Sequence, residues 1–276
     1  MKKFIFHTLA VLLLTSCGST AQDMKVKGNR EPTTEITIVK PFNTLEVDDD
    51  FKVKLVPGSQ PEVELITDSN LHEHIEFNSI GSKLTINSTA RIRSKRKMEF
   101  RITYSPDLHT IIVKDDAEVS TVTKGNFPIL DLQVQDKASA YITATVQQLK
   151  LHTTGDSKSE LNLTGNKANI QITDNADVKA LITYQQANLF LRDRVDARIE
   201  GDVDRGKITI TDKAFIEAKN LVYEELTVVA GNNSKAEVNA KKTLTIEADK
   251  DADISVFNKP DIILTKFEGE AVLRKK

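Results

Sequence analysis

Tryptophan is absent, cysteine occurs once, glycine is scarce at 11 residues, and aromatics make up only 5% of the chain. The lone cysteine excludes a disulfide scaffold and a cysteine-based structural zinc site. With no excess of positive charge (38 Lys and Arg against 40 Asp and Glu), the chain lacks the basic surface that a dedicated nucleic-acid binder needs, so no nucleic-acid partner is expected. Hydrophobic residues, at 39%, suffice for a core, which must be built from Ile, Leu, Val and Ala.

Long apolar runs are also missing, with one exception. Phe4 to Leu14 is uninterrupted by charge, follows Lys2 and Lys3, and is too short to span a bilayer. It leads into Leu14-Thr15-Ser16-Cys17, which resembles the bacterial lipobox. That resemblance implies a signal peptide over residues 1–16, cleavage after Ser16 and lipid attachment at Cys17. Two or more acyl chains give stable anchoring, so a membrane becomes the expected partner through the N-terminal lipid. Gly18 stands where an inner-membrane retention signal has Asp, and no acidic run follows. The expected location is therefore the outer membrane of the cell envelope, with a periplasm-facing attachment favoured over a surface-exposed one. Residues 17–35 are polar and aperiodic and read as the anchor and a flexible tether.

Beyond residue 35 the apolar residues alternate, as in Leu45/Val47, Val53/Leu55 and Leu84/Ile86, which is the period of strands. A longer period begins at residue 111. The pattern aliphatic-x-aliphatic-x-Asp-x-small starts with Ile111, Val113, Asp115 and Ala117. Its small residue recurs at Ala138, Ser157, Ala176, Val195, Ala214, Ser234 and Ala252. The steps are 21, 19, 19, 19, 19, 20 and 18 residues. No Asn-Gly or Asp-Gly pair occurs, which disfavours an antiparallel meander of hairpins. Stacked coils place like residues in register, which explains why Asp recurs.

The expected fold is all-β. It is a right-handed parallel β-helix (solenoid) of about eight 18–21-residue coils over residues 111–276, behind an N-terminal antiparallel β cap over residues 36–110. At about 4.8 Å per coil the rod would be roughly 40 Å long.

Pro41-Phe42-Asn43-x-Leu45-x-Val47, Val53-x-Leu55-x-Pro57-Gly58 and Gly81-Ser82-Lys83-Leu84-Thr85-Ile86-Asn87 precede coils carrying Asp136-Lys137-Ala138-Ser139 and Leu163-Thr164-Gly165. In that order they resemble the putative auto-transporter adhesin head GIN domain family, a domain of unknown function common in Bacteroidetes-type lipoproteins. The resemblance covers about residues 40–260. It implies a β-helix-like fold and an adhesion role, and it implies no catalytic residue.

Three residue groups carry candidate chemistry. Asp115, Asp136, Asp174, Asp193 and Asp212, continued by Asn232, form a row that would suit either Ca²⁺ or the capping of coil corners. The row lacks the Gly-rich nonapeptide of calcium β-rolls, so corner capping is preferred and no metal or other cofactor is assigned. His72 and His74 could share a metal on a strand, but no third ligand is evident. Arg91, Arg93, Lys95, Arg96 and Lys97 concentrate positive charge and are the candidate contacts for an anionic ligand, either lipid headgroups or an acidic polysaccharide. The alternative is a solvated hairpin tip.

Uniform coils leave little loop material for a catalytic cleft, and aromatics for sugar stacking are scarce, so no catalytic residue is assigned. The sequence reads as a non-catalytic, lipid-anchored envelope scaffold or adhesin-like binder, with envelope polysaccharide or protein as partner. A polysaccharide-active lyase or hydrolase and a self-assembling structural envelope protein stand as alternatives.

Overall fold

The computed structural model describes residues 25–276. Its N-terminal part holds strands β1 (Lys25–Lys27), β2 (Pro32–Ile38), β3 (Thr44–Val47), β4 (Lys52–Pro57) and β5 (Glu62–Asp68). After a 3-10 turn at Ser69–His74 come β6 (Ile75–Ile80), β7 (Lys83–Ser88), β8 (Arg91–Ser94) and β9 (Met98–Tyr104). The repeats supply β10 (Thr110–Val113), β11 (Glu118–Thr121), β12 (Gly125–Val134), β13 (Ser139–Thr153), β14 (Lys158–Ile172) and β15 (Asp177–Leu191). They continue with β16 (Asp196–Ile210), β17 (Phe215–Ala230), β18 (Lys235–Ala248), β19 (Asp253–Phe257), β20 (Asp261–Phe267) and β21 (Val272–Lys275).

From β10 to β21 every pairing is parallel, and each coil lies on the one before it. The expected parallel solenoid is thus the observed fold, with about nine turns. Period-two alternation puts Ile170, Leu189, Ile208 and Val228 inside, one above another. The small residues of the repeat, Ala117, Ala138, Ser157, Ala176, Ala214, Ser234 and Ala252, are all completely buried. They sit just after a tight corner, where the chain turns inward and a small side chain fills the space; Val195 takes the same place in its coil, also buried.

That corner explains the Asp row. Asp115, Asp136, Asp174, Asp193, Asp212 and Asn232 all have φ between 54° and 73°, in the left-handed region. Asp and Asn tolerate this conformation better than other non-glycine residues do. Gly155 takes the same place in its coil, with φ 74°. The turn closes when the small residue donates to the carbonyl three positions back, as Ala138 N–H does to Gln135 O at 3.0 Å. The carboxylates also reach backward along the rod. Asp136 Oδ2 accepts from Asp115 N–H at 3.3 Å, and Asp174 Oδ2 accepts from Gly155 N–H at 3.1 Å and from the Thr154 hydroxyl.

The N-terminal part departs from expectation in three ways. The segment expected as tether is not uniformly free: β1 pairs with β8, and β2 pairs antiparallel with β5 along its whole length. The stack also begins earlier than residue 111. β3 and β4 pair in parallel with β10 and β11, so residues 44–57 form a coil with Asp49 at its left-handed corner. Finally, the region is of mixed topology. β7 and β9 continue the stack in parallel on β3 and β4, while β6–β7, β5–β9 and β2–β5 are antiparallel. Phe51, which replaces the small residue of the repeat, packs edge-on against Phe100 of β9 at 5.0 Å.

The corner makes a direct prediction. Asp136→Ala forces a Cβ-bearing residue without a polar side chain into the left-handed region and should destabilise the protein by about 1–2 kcal/mol. Asp136→Gly keeps the backbone relaxed and should cost about half as much, as read from urea unfolding curves. Equal losses would show that the carboxylate, and not the backbone, sets the corner.

Candidate functional site

The cations at 91–97 are not a hairpin tip. Residues 91–94 form β8, which pairs in parallel with β1 and sets Lys25 beside Arg91 and Val26 beside Ile92. Ile92 packs on the core, and Lys25, Lys27 and Arg93 are exposed; the register shifts after Val26, which sets Lys27 beside Ser94. The segment after β8 is tied down by Asp68, a fully buried carboxylate whose Oδ2 accepts from Arg96 N–H at 3.1 Å.

Not every cation of the cluster serves a ligand equally. Lys95 Nζ is 2.6 Å from Asp50, and Lys97 Nζ is 3.4 Å from Glu99, which also holds Lys54 at 2.6 Å. Hydrogen bonds from Lys54 keep the Glu99 carboxyl below its ordinary range. Arg96 Nη1 donates to Arg30 O at 3.4 Å. Arg91 lines a groove of about 310 Å³ with Asp49, Asp50, Asp115 and Asp116, the acidic start of the corner row. Arg93 is exposed on the ribbon, and Lys25 and Lys27 join it there. Sequence reading missed these two lysines because they fall in a segment without periodicity, 66 residues from the strand they pair with.

At this end of the row the carboxylates crowd. Burial, then the charges of neighbouring Asp115 and Asp50, push the Asp49 carboxyl above its ordinary value, and burial with Asp49 and Asp115 does the same to Asp48. Further along, the carboxylate of Asp174 lies below its ordinary value because the Thr154 hydroxyl and Gly155 N–H donate to it. Among the described residues no group of three or more His, Cys, Asp or Glu side chains is arranged to hold a metal ion. His72 and His74 lie in the 3-10 turn, not on a strand. The His72 ring is buried, with Nε2 3.0 Å from Thr33 Oγ1 and Nδ1 3.5 Å from Glu35.

Tyr184 and Tyr223 are buried in one inward column, and burial raises both phenols above their ordinary range. Gly206 makes the room: a Cβ there would lie 1.9 Å from Ala187 O and 2.6 Å from the Tyr223 ring. Tyr141 is exposed. Phe190, flanked by the buried Leu189 and Leu191, faces outward, as its place in the alternation could have revealed. Cys17 lies outside the described residues, as do the rest of residues 1–24.

A stack of uniform coils with outward columns in register, and a basic ribbon beside its first turns, defines a repetitive parallel β-solenoid. A family profile described as "Putative auto-transporter adhesin, head GIN domain" matches residues 41–260. The chain belongs to that family. Solved structures with the same fold include a putative adhesin from Parabacteroides merdae, at 16% identity and TM-score 0.66, covering 92% of this chain and 99% of the other. A putative adhesin from Parabacteroides distasonis is 18% identical with TM-score 0.64, covering 91% of this chain and 100% of the other. A protein from the same organism named a putative lipid binding protein is 14% identical with TM-score 0.67, covering 91% and 99%. Comparison with curated proteins finds no match.

Crowding at Asp49 has a pH signature. A carboxyl whose folded-state pKa is raised loses stability as pH rises through that value, and the penalty is absent well below the ordinary 3.8. Asp49→Asn, which keeps a residue suited to the left-handed corner, should therefore raise Tm at pH 7 by roughly 1–2 °C in low salt. It should give no gain near pH 3, and 1 M salt should shrink the neutral-pH gain. A lower Tm at pH 7 would show that the Asp49 charge is stabilising.

Proposed function

We propose that this chain is a lipid-anchored, non-catalytic protein of the cell envelope that holds an extended polymer by many weak contacts along its solenoid. The observation that carries the reading is register. Lys158, Asp177 and Asp196 stand over one another on successive coils, as do Glu160, Lys179 and Arg198, and Asn162 and Leu181. A ligand with a regular repeat meets equivalent positions about every 4.8 Å. Weak contacts held on one rigid frame then reinforce each other through effective concentration.

Family membership supports an adhesive role. Strands of 14–16 residues joined by short corners support a non-catalytic one, because they supply no long loops from which to build a cleft. The Leu14-Thr15-Ser16-Cys17 motif supports anchoring at Cys17. No helix among the described residues is long and apolar enough to cross a membrane. An outer-membrane lipoprotein facing the periplasm is the arrangement we propose. The basic ribbon, eight residues beyond Cys17, is its contact for anionic headgroups or acidic polysaccharide.

Two measurements test this. In cells, Cys17→Ser should move the protein from the membrane to the soluble fraction, and an unchanged distribution would remove the anchor. In vitro, the lipid-free mature chain should be retained by purified envelope polysaccharide in co-sedimentation, and silence against every envelope polymer would sink the binding role. For binding to anionic polymer or vesicles, Lys25→Gln with Lys27→Gln and Arg93→Gln should cost more affinity than Lys95→Gln with Lys97→Gln. The latter two lysines are already engaged by carboxylates.

A further inference from the structure

The two broad sides of the rod differ in chemistry. The later halves of β13 to β16, at residues 148–153, 167–172, 186–191 and 205–210, form one side. Register places Lys150, Asn169, Asn188 and Lys207 in one outward column and His152, Gln171, Phe190 and Thr209 in the next. A third column runs Gln148, Lys167, Gln186, Arg205. Within these rungs there are cations and carboxamides but no carboxylate; acids stand at their borders, Asp131 beside Lys150 and both Asp204 and Glu225 beside Arg205. The opposite side mixes Glu160, Asp177, Asp196 and Glu200 with its lysines and arginines.

This uniform side is also concave. The first two columns line a groove of about 560 Å³, within the range of ligand sites, with Phe190 half-buried in it. Asn188 Nδ2 donates to Asn169 Oδ1 at 3.3 Å, which orients the two amides alike and leaves each with donors and an acceptor to spare. Lys150 is shared with Asp131 at 3.0 Å, whereas Lys167, Arg205 and Lys207 are exposed. An aromatic ring suits the C–H face of a pyranose. Amides suit its hydroxyls, and cations suit carboxylates: Lys167 stands between Gln148 and Gln186 and Lys207 between Asn188 and Thr227, whereas Arg205 stands beside Glu225. The coil spacing of about 4.8 Å is close to the advance of one ring in an extended glycan chain.

We propose that this side of the solenoid binds an extended acidic polysaccharide lying along the rod axis, with a sugar ring against Phe190 and carboxylates at Lys167, Arg205 and Lys207. The proposal rests on the polymer-binding reading above and gives that reading a place and a ligand class.

The test uses the lipid-free mature chain (Cys17→Ser) in calorimetric titrations with hexagalacturonate, cellohexaose and poly-L-glutamate, alongside co-sedimentation with envelope polysaccharide. Hexagalacturonate should bind more tightly than either of the other probes. Phe190→Ala should weaken it roughly fivefold, as expected for loss of one aromatic contact. Arg205→Gln with Lys207→Gln should weaken it about tenfold. Lys219→Gln with Lys235→Gln, on the opposite side, should leave it unchanged. All these residues are at least partly exposed, and an unchanged Tm verifies each fold. If envelope polymer binds and the groove variants bind it as well as wild type does, the groove is wrong and the polymer-binding reading stands. If no polymer or probe binds, both fall. If poly-L-glutamate binds as tightly and Phe190→Ala has no effect, the side is a charge patch and not a glycan site.

Discussion

Each coil of this protein must hydrogen-bond to the next through its backbone, in parallel, at one fixed register. Sequence position n then lies beneath a position about 19 residues later, as Ile170 lies beneath Leu189 and Leu189 beneath Ile208. Backbone groups buried in the stack find partners in the adjacent coils, a strict requirement away from water. A register slip of one residue would turn every inward Leu and Ile to solvent. The Asp corner serves this register. Its left-handed residue ends one strand, starts the next, and is tied to the coil before it through the main chain and, at Asp115, Asp136 and Asp174, through the carboxylate as well.

Function inherits the same constraint. Outward side chains are placed by the ladder, so the surface is a lattice whose columns vary in chemistry while their spacing does not. The proposed binding of a long, regular polymer draws on that lattice. Burial changes along the ladder: Ile262 and Leu264 of β20 are exposed where Leu244 and Ile246, one coil earlier, are buried. At the other end β7 and β9 lie on the first coil, with the antiparallel β5 and β6 beyond them.

Much of the solenoid was legible because its signals are local. Leu132, Val134, Asp136 and Ala138 state one half-coil within seven residues, and their recurrence states the stack. The N-terminal region was less legible because the chain leaves the ladder and returns. Residues 44–57 form a coil whose next neighbour begins at residue 110, after an excursion that builds strands on the other side. The basic cluster was visible as a run of charge. Its division into engaged and available cations was not, because Asp50 lies 45 residues from Lys95 and Lys25 lies 66 from Arg91. Phe190 was visible as an outward position but passed over, because the count of aromatics hid where each one points.

By itself the sequence determined the strand period, the coil length, the left-handed corner and family membership, since alternation and turn chemistry act between residues close in the chain. It also carries the lipobox-like Leu14-Thr15-Ser16-Cys17 intact. Tertiary structure decided where the first coil begins, which lysines lie along β8, and that residues 148–153, 167–172, 186–191 and 205–210 share one side of the rod. Those features depend on which distant segments share an edge, and that pairing is set by the packing of whole coils.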